Sequence, residues 1–144
     1  MKLIFKNKEK KDCVIVAAYN ALKAIKKRPN YKNMRSISLG LGWYNPKVGF
    51  LTRDIERFFI KFNVPFKEVP KGSTTKTVSA KIKEGVPHIL FCRFANKKTG
   101  HAMLAIKGKT GVKVINAGKR LKGWRTISKL LKEKKIVAIA YEIG

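Results

Sequence analysis

Residues Asp12 to Lys26, DCVIVAAYNALKAIK, constrain the fold more than any other stretch of the chain. Alanine and leucine favour a helix, and the first strong breaker is Pro29, beyond the end. An acid at the start and Lys26-Lys27-Arg28 at the finish match the helix dipole. Val14, Ala17, Ala18, Ala21, Leu22 and Ile25 form a wide apolar stripe, which Ile15, Val16 and Ala24 extend. A helix with so little polar surface belongs at the centre of a fold, packed on most sides. Cys13 falls in its first turn, where unpaired amide hydrogens favour a thiolate, so its position alone predicts a depressed pKa and a nucleophile. The competing reading of Cys13 is a small buried hydrophobe, which is what most free cysteines are.

Around this helix the pattern predicts helices early and strands late. Leu3 to Phe5 reads as a short edge strand, and Asn7 to Lys11 as a charged connector to Asp12, an N-cap or first-turn acid. Lys26 to Arg35 reads as a basic turn region, and Ser38 to Pro46 as a glycine-punctuated loop with Trp43-Tyr44 plugging the core. A second helix is predicted from Thr52, its N-cap, to about Phe62, with Ile55, Phe58, Phe59 and Phe62 turned inward. Val64 to Val69 reads as a strand that Pro65 confines to an edge or terminal position. Thr75 to Glu84 reads as a short helix stopped by Gly85. Val86–Phe94, His101–Lys107, Gly111–Asn116 and Lys135–Ile143 have strand character, with a short helix over Thr126–Lys134. The class is α+β: an N-terminal central helix packed on an antiparallel β-sheet, in one domain spanning residues 1–144.

No run is long enough to span a bilayer, and the N-terminus lacks the apolar core of a secretion signal, so no membrane partner is expected. The two cysteines and two histidines lack a metal spacing, so neither metal nor cofactor is expected. Reduced thiols in an intracellular compartment follow. Charge is the unusual feature. Thirty-four Lys and Arg against eight Asp and Glu give +26 on a 16.3 kDa chain. Such a field attracts polyanions and points to nucleic acid, the inside of a virion or an acidic protein; adaptation to a charged host proteome is the bland alternative. Lys107, Lys109, Lys113, Lys119, Arg120, Lys122 and Arg125 form an acid-free run. With Lys26 to Arg35 they suit a track for phosphates that touches backbone without reading bases. No pattern sets an oligomeric state.

Two further stretches bear on Cys13. His101 opens an apolar strand, HAMLAI, and Asn116 ends another, GVKVIN. A two-residue loop at Gly108-Lys109 would pair position 107 with 110, and counting back pairs His101 with Asn116, their Cβ atoms about 4.5–5.5 Å apart. A thiol needs a base, and the base needs an orienting group on its other nitrogen. Cys13, His101 and Asn116 supply those roles, and a neutral asparagine suits a thiolate–imidazolium pair. Taken singly, His101 could be structural and Asn116 a turn residue. Cys92 reads as a sheet residue and His88 as structural or exposed.

On these residues the chain resembles the papain-like cysteine peptidase superfamily, and within it the small bacteriocin-processing type that cleaves leader peptides after a double glycine. Those enzymes open with a glutamine, a short connector and an Asp-Cys pair leading into the helix; here the segment is Asn7-Lys8-Glu9-Lys10-Lys11-Asp12-Cys13. Their histidine begins an apolar strand, as His101 does, and their acidic orienting residue ends the next, where Asn116 instead matches papain proper. The resemblance covers nearly the whole chain and implies an acyl-thioester mechanism. Asn7 stands in the place of the oxyanion-hole glutamine and is one methylene shorter, and Val14 replaces the small or aromatic residue that commonly follows the nucleophile.

The expected activity is cysteine-dependent hydrolysis of peptide bonds, by a processing enzyme of a virus or phage packaged beside a genome. Cys13 attacks a peptide or protein substrate, and His101 carries the proton to the leaving amine. Asn116 holds the ring, while Asn7 and the Cys13 amide receive the oxyanion. The alternatives are an inactive papain-like module that binds nucleic acid or an acidic protein, and a deubiquitinase-like or amide-hydrolysing thiol enzyme.

Overall fold

The structure is a computed structural model that describes residues 3–4, 7–69, 82–94, 100–109, 111–115, 125–126 and 135–144. Its first element is the expected helix, α1 (Cys13–Ala24), with Val14 to Ala18 and Asn20 to Leu22 all buried. The amide of Lys27 donates to the carbonyl of Leu22 at 2.9 Å, and Lys26 takes the left-handed conformation (φ 64°) that this helix-closing bond requires.

The basic stretch and the glycine-punctuated loop differ from expectation, because a second helix, α2 (Tyr31–Gly40), runs through both. Asn30 caps it by accepting from the Asn33 amide at 3.1 Å. Tyr31, Met34 and Ser38 are its buried face, while Lys32 stays exposed. Lys32 and Arg35 of the basic stretch thus belong to a helix, while Lys26, Lys27 and Arg28 lie in the connection before it. A small hairpin follows, β1 (Tyr44–Asn45) with β2 (Gly49–Phe50). Tyr44 plugs the core as expected and is 1% exposed. A 3-10 turn (Thr52–Asp54) leads into α3 (Ile55–Lys61), so the N-cap position falls at Asp54, two residues later than expected. Ile55, Phe58 and Phe59 are buried, and Phe62 packs on them. Leu3 and Ile4 pack on this core outside any strand.

The remaining chain builds one antiparallel sheet from β3 (Phe66–Glu68), β4 (His88–Phe94), β5 (Gly100–Gly108), β6 (Gly111–Ile115), β7 (Arg125–Thr126) and β8 (Lys135–Ile143). The spatial order is β3-β8-β4-β5-β6-β7, with β3, the strand after Pro65, on an edge as predicted. Alternation separates two buried faces. Ile89, Ala102, Leu104, Ile115, Tyr141 and Ile143 face the helices; Leu90, Met103, Ala105, Val112, Val114 and Ala140 join Val69 and Ile82 in a second cluster. Helices packed against an antiparallel sheet give the mixed α+β class. The helix expected over Thr75–Glu84 lies outside the described residues except at its end, where Ile82 is buried. Of the one over Thr126–Lys134, only Thr126 is described, and it belongs to β7.

Candidate functional site

The first turn of α1 abuts the start of β5. Cys13 is half-buried there, and its sulfur accepts a hydrogen bond from the backbone amide of Ala102 at 3.4 Å. Peptide geometry puts the His101 Cα about 2.4 Å from that amide nitrogen, so it lies within about 6 Å of the sulfur. Two residues 88 positions apart in sequence, Cys13 and His101, are therefore brought to one place. His101 is half-buried and shares strand parity with Met103 and Ala105, while Ala102 shares it with the helix-facing Leu104. Its side chain therefore leaves the strand on the face opposite the helices, at the beginning of β5, where the described pairing with β6 has already ended at Leu104–Ile115. On the other side β4 pairs Cys92 with His101, and a bulge interrupts the β4–β8 ladder between Phe91 and Cys92. Such irregularities re-aim chain next to functional sites.

The expected hairpin register is corrected. Gly108 pairs with Gly111, and Ala105 faces Val114 where the count had predicted Val112. Gly111, at φ 122°, takes a conformation that side chains rarely adopt, which moves the turn one residue along. The arithmetic that set His101 opposite Asn116 fails with it, and Asn116 itself lies outside the described residues.

The expectation of a depressed thiol pKa is also corrected. Burial pushes the Cys13 thiol up, and the neighbouring Asp12 charge adds to this. The amides of Ala102, Val14 and Cys13 pull the other way without reversing the direction. A helix N-terminus favours a thiolate only as far as desolvation allows. At neutral pH the sulfur is therefore protonated.

Two side chains, Asp12 and Asn20, make contacts that periodicity did not reveal. Asp12 is fully buried and caps nothing; its Oδ2 accepts from the Glu9 amide at 3.0 Å and from the Tyr31 hydroxyl. Burial raises its pKa, while those two hydrogen bonds lower it. Asn20, the one amide in an apolar run, holds both backbone groups of Ile4 at 2.8 Å, as a neighbouring strand would. Asn7 is half-buried at the head of the connector. The three residue steps from Ile4 to Asn7 can span at most about 10 Å, which matches the rise of α1 from Asn20 back to Cys13. The chain therefore has the length to bring Asn7 level with the sulfur.

His88 sits four residues along β4 from the residue paired with His101, at the opposite end of the sheet. It is fully buried, with its ring nitrogen Nδ1 2.8 Å from the Val86 carbonyl and Nε2 without a partner among the described residues. Burial lowers its pKa below the ordinary 6.5. The unfolded chain therefore takes up this proton first, and stability is expected to fall as pH drops from 6.5 toward the lower folded value, then level off. Urea midpoints followed from pH 7.5 downward should show this limb in the native protein and lose it in His88→Leu.

Among the described residues no three side chains of His, Cys, Asp or Glu converge as metal ligands. No helix among them is long and apolar enough to cross a membrane. The site defines an α+β protein with a thiol at the head of its central helix and a histidine at the adjoining strand. No protein-family model matches the sequence, and no curated protein matches it.

Proposed function

We propose that this protein is a papain-like thiol hydrolase that cleaves peptide bonds, with Cys13 as nucleophile and His101 as base. The observation that carries this reading is the hydrogen bond from the Ala102 amide to the Cys13 sulfur, which joins the head of α1 to the strand whose second residue is the histidine. In the mechanism, the imidazole of His101 takes the thiol proton as sulfur attacks the scissile carbonyl. The proton then passes to the leaving amine, and water releases the acyl group. Because burial holds the thiol protonated, this is general-base catalysis at the moment of attack and needs no preformed ion pair. Asn7 and the Cys13 amide receive the oxyanion. A free Cys13 thiol suits a reducing compartment, and a strongly basic processing enzyme suits packaging beside a viral genome.

The test is a denatured-proteome peptide library with new termini read by mass spectrometry. The native protein should generate them and His101→Ala should not. Equal cleavage by His101→Ala, or none by the native protein, overturns the reading.

Charge supports a second reading, retention of nucleic acid or another polyanion. Of the eight acids, Asp12 and Asp54 are buried, and Asp54 and Glu142 are already paired with Arg57 at 3.5 Å and Lys83 at 3.2 Å. The carboxylates that could neutralise the surface are thus partly withdrawn from it. Binding to a phosphate matrix should weaken steeply with salt and survive Cys13→Ala; salt-independent elution would remove this reading.

A further inference from the structure

The connector from Asn7 to Cys13 is held at four successive residues. The Lys8 ammonium lies 5.0 Å from the centroid of the Tyr31 ring, and the Glu9 amide donates to Asp12 Oδ2 at 3.0 Å. The Lys10 carbonyl accepts from the Tyr44 hydroxyl at 2.5 Å, and the Lys11 ammonium donates to the Lys47 carbonyl at 2.6 Å. Lys11 itself sits in the left-handed region at φ 54°, a conformation unfavourable for a lysine that its surroundings must enforce. At the centre is a buried pair: the Tyr31 hydroxyl, at the head of α2, donates to the same Asp12 oxygen that holds Glu9. Burying a carboxylate beside a nucleophile opposes ionisation of both, since the Asp12 charge raises the Cys13 pKa. Stability and thiol acidity both argue against a buried acid here, so a different use is required.

We propose that Asp12 and Tyr31 are positioning residues: they clamp the Asn7–Lys11 connector so that the Asn7 carboxamide and the Cys13 amide converge on one oxyanion. This deepens the thiol-hydrolase reading and rests on it. Asn7 is a methylene shorter than glutamine, so its amide reaches the oxyanion only if the backbone carries it there. The clamp supplies a fixed backbone path between the two donors. Tyr31 remains a donor throughout, because burial and the Asp12 carboxylate both raise its pKa. An acyl-transfer oxyanion hole depends on donors placed before the charge develops, and loss of one donor lowers turnover by about 10²–10³-fold.

The experiment separates chemistry that makes an oxyanion from chemistry that does not. A panel of N-acetyl tripeptide glycinals and argininals reports the first: the Cys13 sulfur adds to the aldehyde carbon, the carbonyl oxygen gains the negative charge, and it takes the proton released by the thiol. Iodoacetamide reports the second, because sulfur displaces iodide from carbon with no oxyanion formed. In Tyr31→Phe, aldehyde affinity is expected to fall about 10-fold or more, and in Asn7→Ala about 100-fold, while the limiting alkylation rate stays within about 3-fold of the native value. The double variant should bind aldehyde no worse than Asn7→Ala alone, since the clamp acts through Asn7. If Tyr31→Phe does not fold, Asp12→Asn, which retains the shape, takes its place with the same expectations. Native aldehyde affinity in the clamp variant, parallel losses with both reagents, or additive losses in the double variant overturn the clamp and leave the hydrolase reading standing. A native protein that binds no member of the panel overturns both.

Discussion

Peptide hydrolysis is expected to fall by on the order of 10⁴-fold or more in Cys13→Ala, because removing a nucleophile disables the base that serves it as well. The fold should survive, since alanine is a good helix former and the hydrogen bond from the Ala102 amide is a weak one to a neutral sulfur. A melting temperature within about 3 °C of native would distinguish lost chemistry from lost structure. The pH profile carries a second expectation with a definite sign. Burial and Asp12 hold the thiol protonated beyond its ordinary range, so alkylation by iodoacetamide should still be rising where an exposed cysteine has levelled off. Hydrolysis, assisted by His101, should begin at lower pH than alkylation does. Turnover that persists in Cys13→Ala would remove the sulfur from the mechanism.

The parts of this molecule legible in its sequence are those where one signal outweighs its rivals. Fifteen nearly apolar residues from Asp12 could hardly be anything but a central helix, and Pro65 alone was enough to send β3 to an edge. Helix α2 was obscured because its charged residues are those of a basic turn, and its buried positions, Tyr31, Met34 and Ser38, include only one that is strongly apolar. The β5–β6 register turned on one residue of loop, and hydrophobic alternation is unchanged by a slip of two, so apolar pattern could not choose between Val112 and Val114 as the partner of Ala105. At the site, the meeting of Cys13 with the start of β5 followed from element order, because the head of a buried helix must face some part of the sheet it covers. The thiol's acidity did not follow, since it depends on how deeply the sulfur sinks. Nor did the Asp12–Tyr31 pair: a tyrosine nineteen residues away leaves no mark on the local pattern around an acid.

The largest loss of stability is expected from Phe59→Ala. The Phe59 ring is 0% exposed and stands where three elements meet: Phe58 beside it in α3, Phe66 of β3 at a centroid distance of 5.3 Å, and Tyr141 of β8 edge-on at 5.2 Å. Truncation removes the apolar transfer term and leaves a cavity that a rigid sheet cannot close, costing about 3–5 kcal/mol. For a chain of this size that corresponds to a fall in melting temperature on the order of 10 °C or more. Neighbouring Ile60 is the internal control, because it lies on the same helix and is 68% exposed, so Ile60→Ala should change little. The site is also informative, because α3 and the β3–β8 edge pack on the helix-facing core at a distance in the chain from Cys13. Below its lowered melting temperature, Phe59→Ala should alkylate at Cys13 with the native pH profile. A profile that shifts with Phe59→Ala would mean that the sulfur's surroundings depend on the whole helix-facing core, and the connector between Asn7 and Cys13 would then not be enough to fix them.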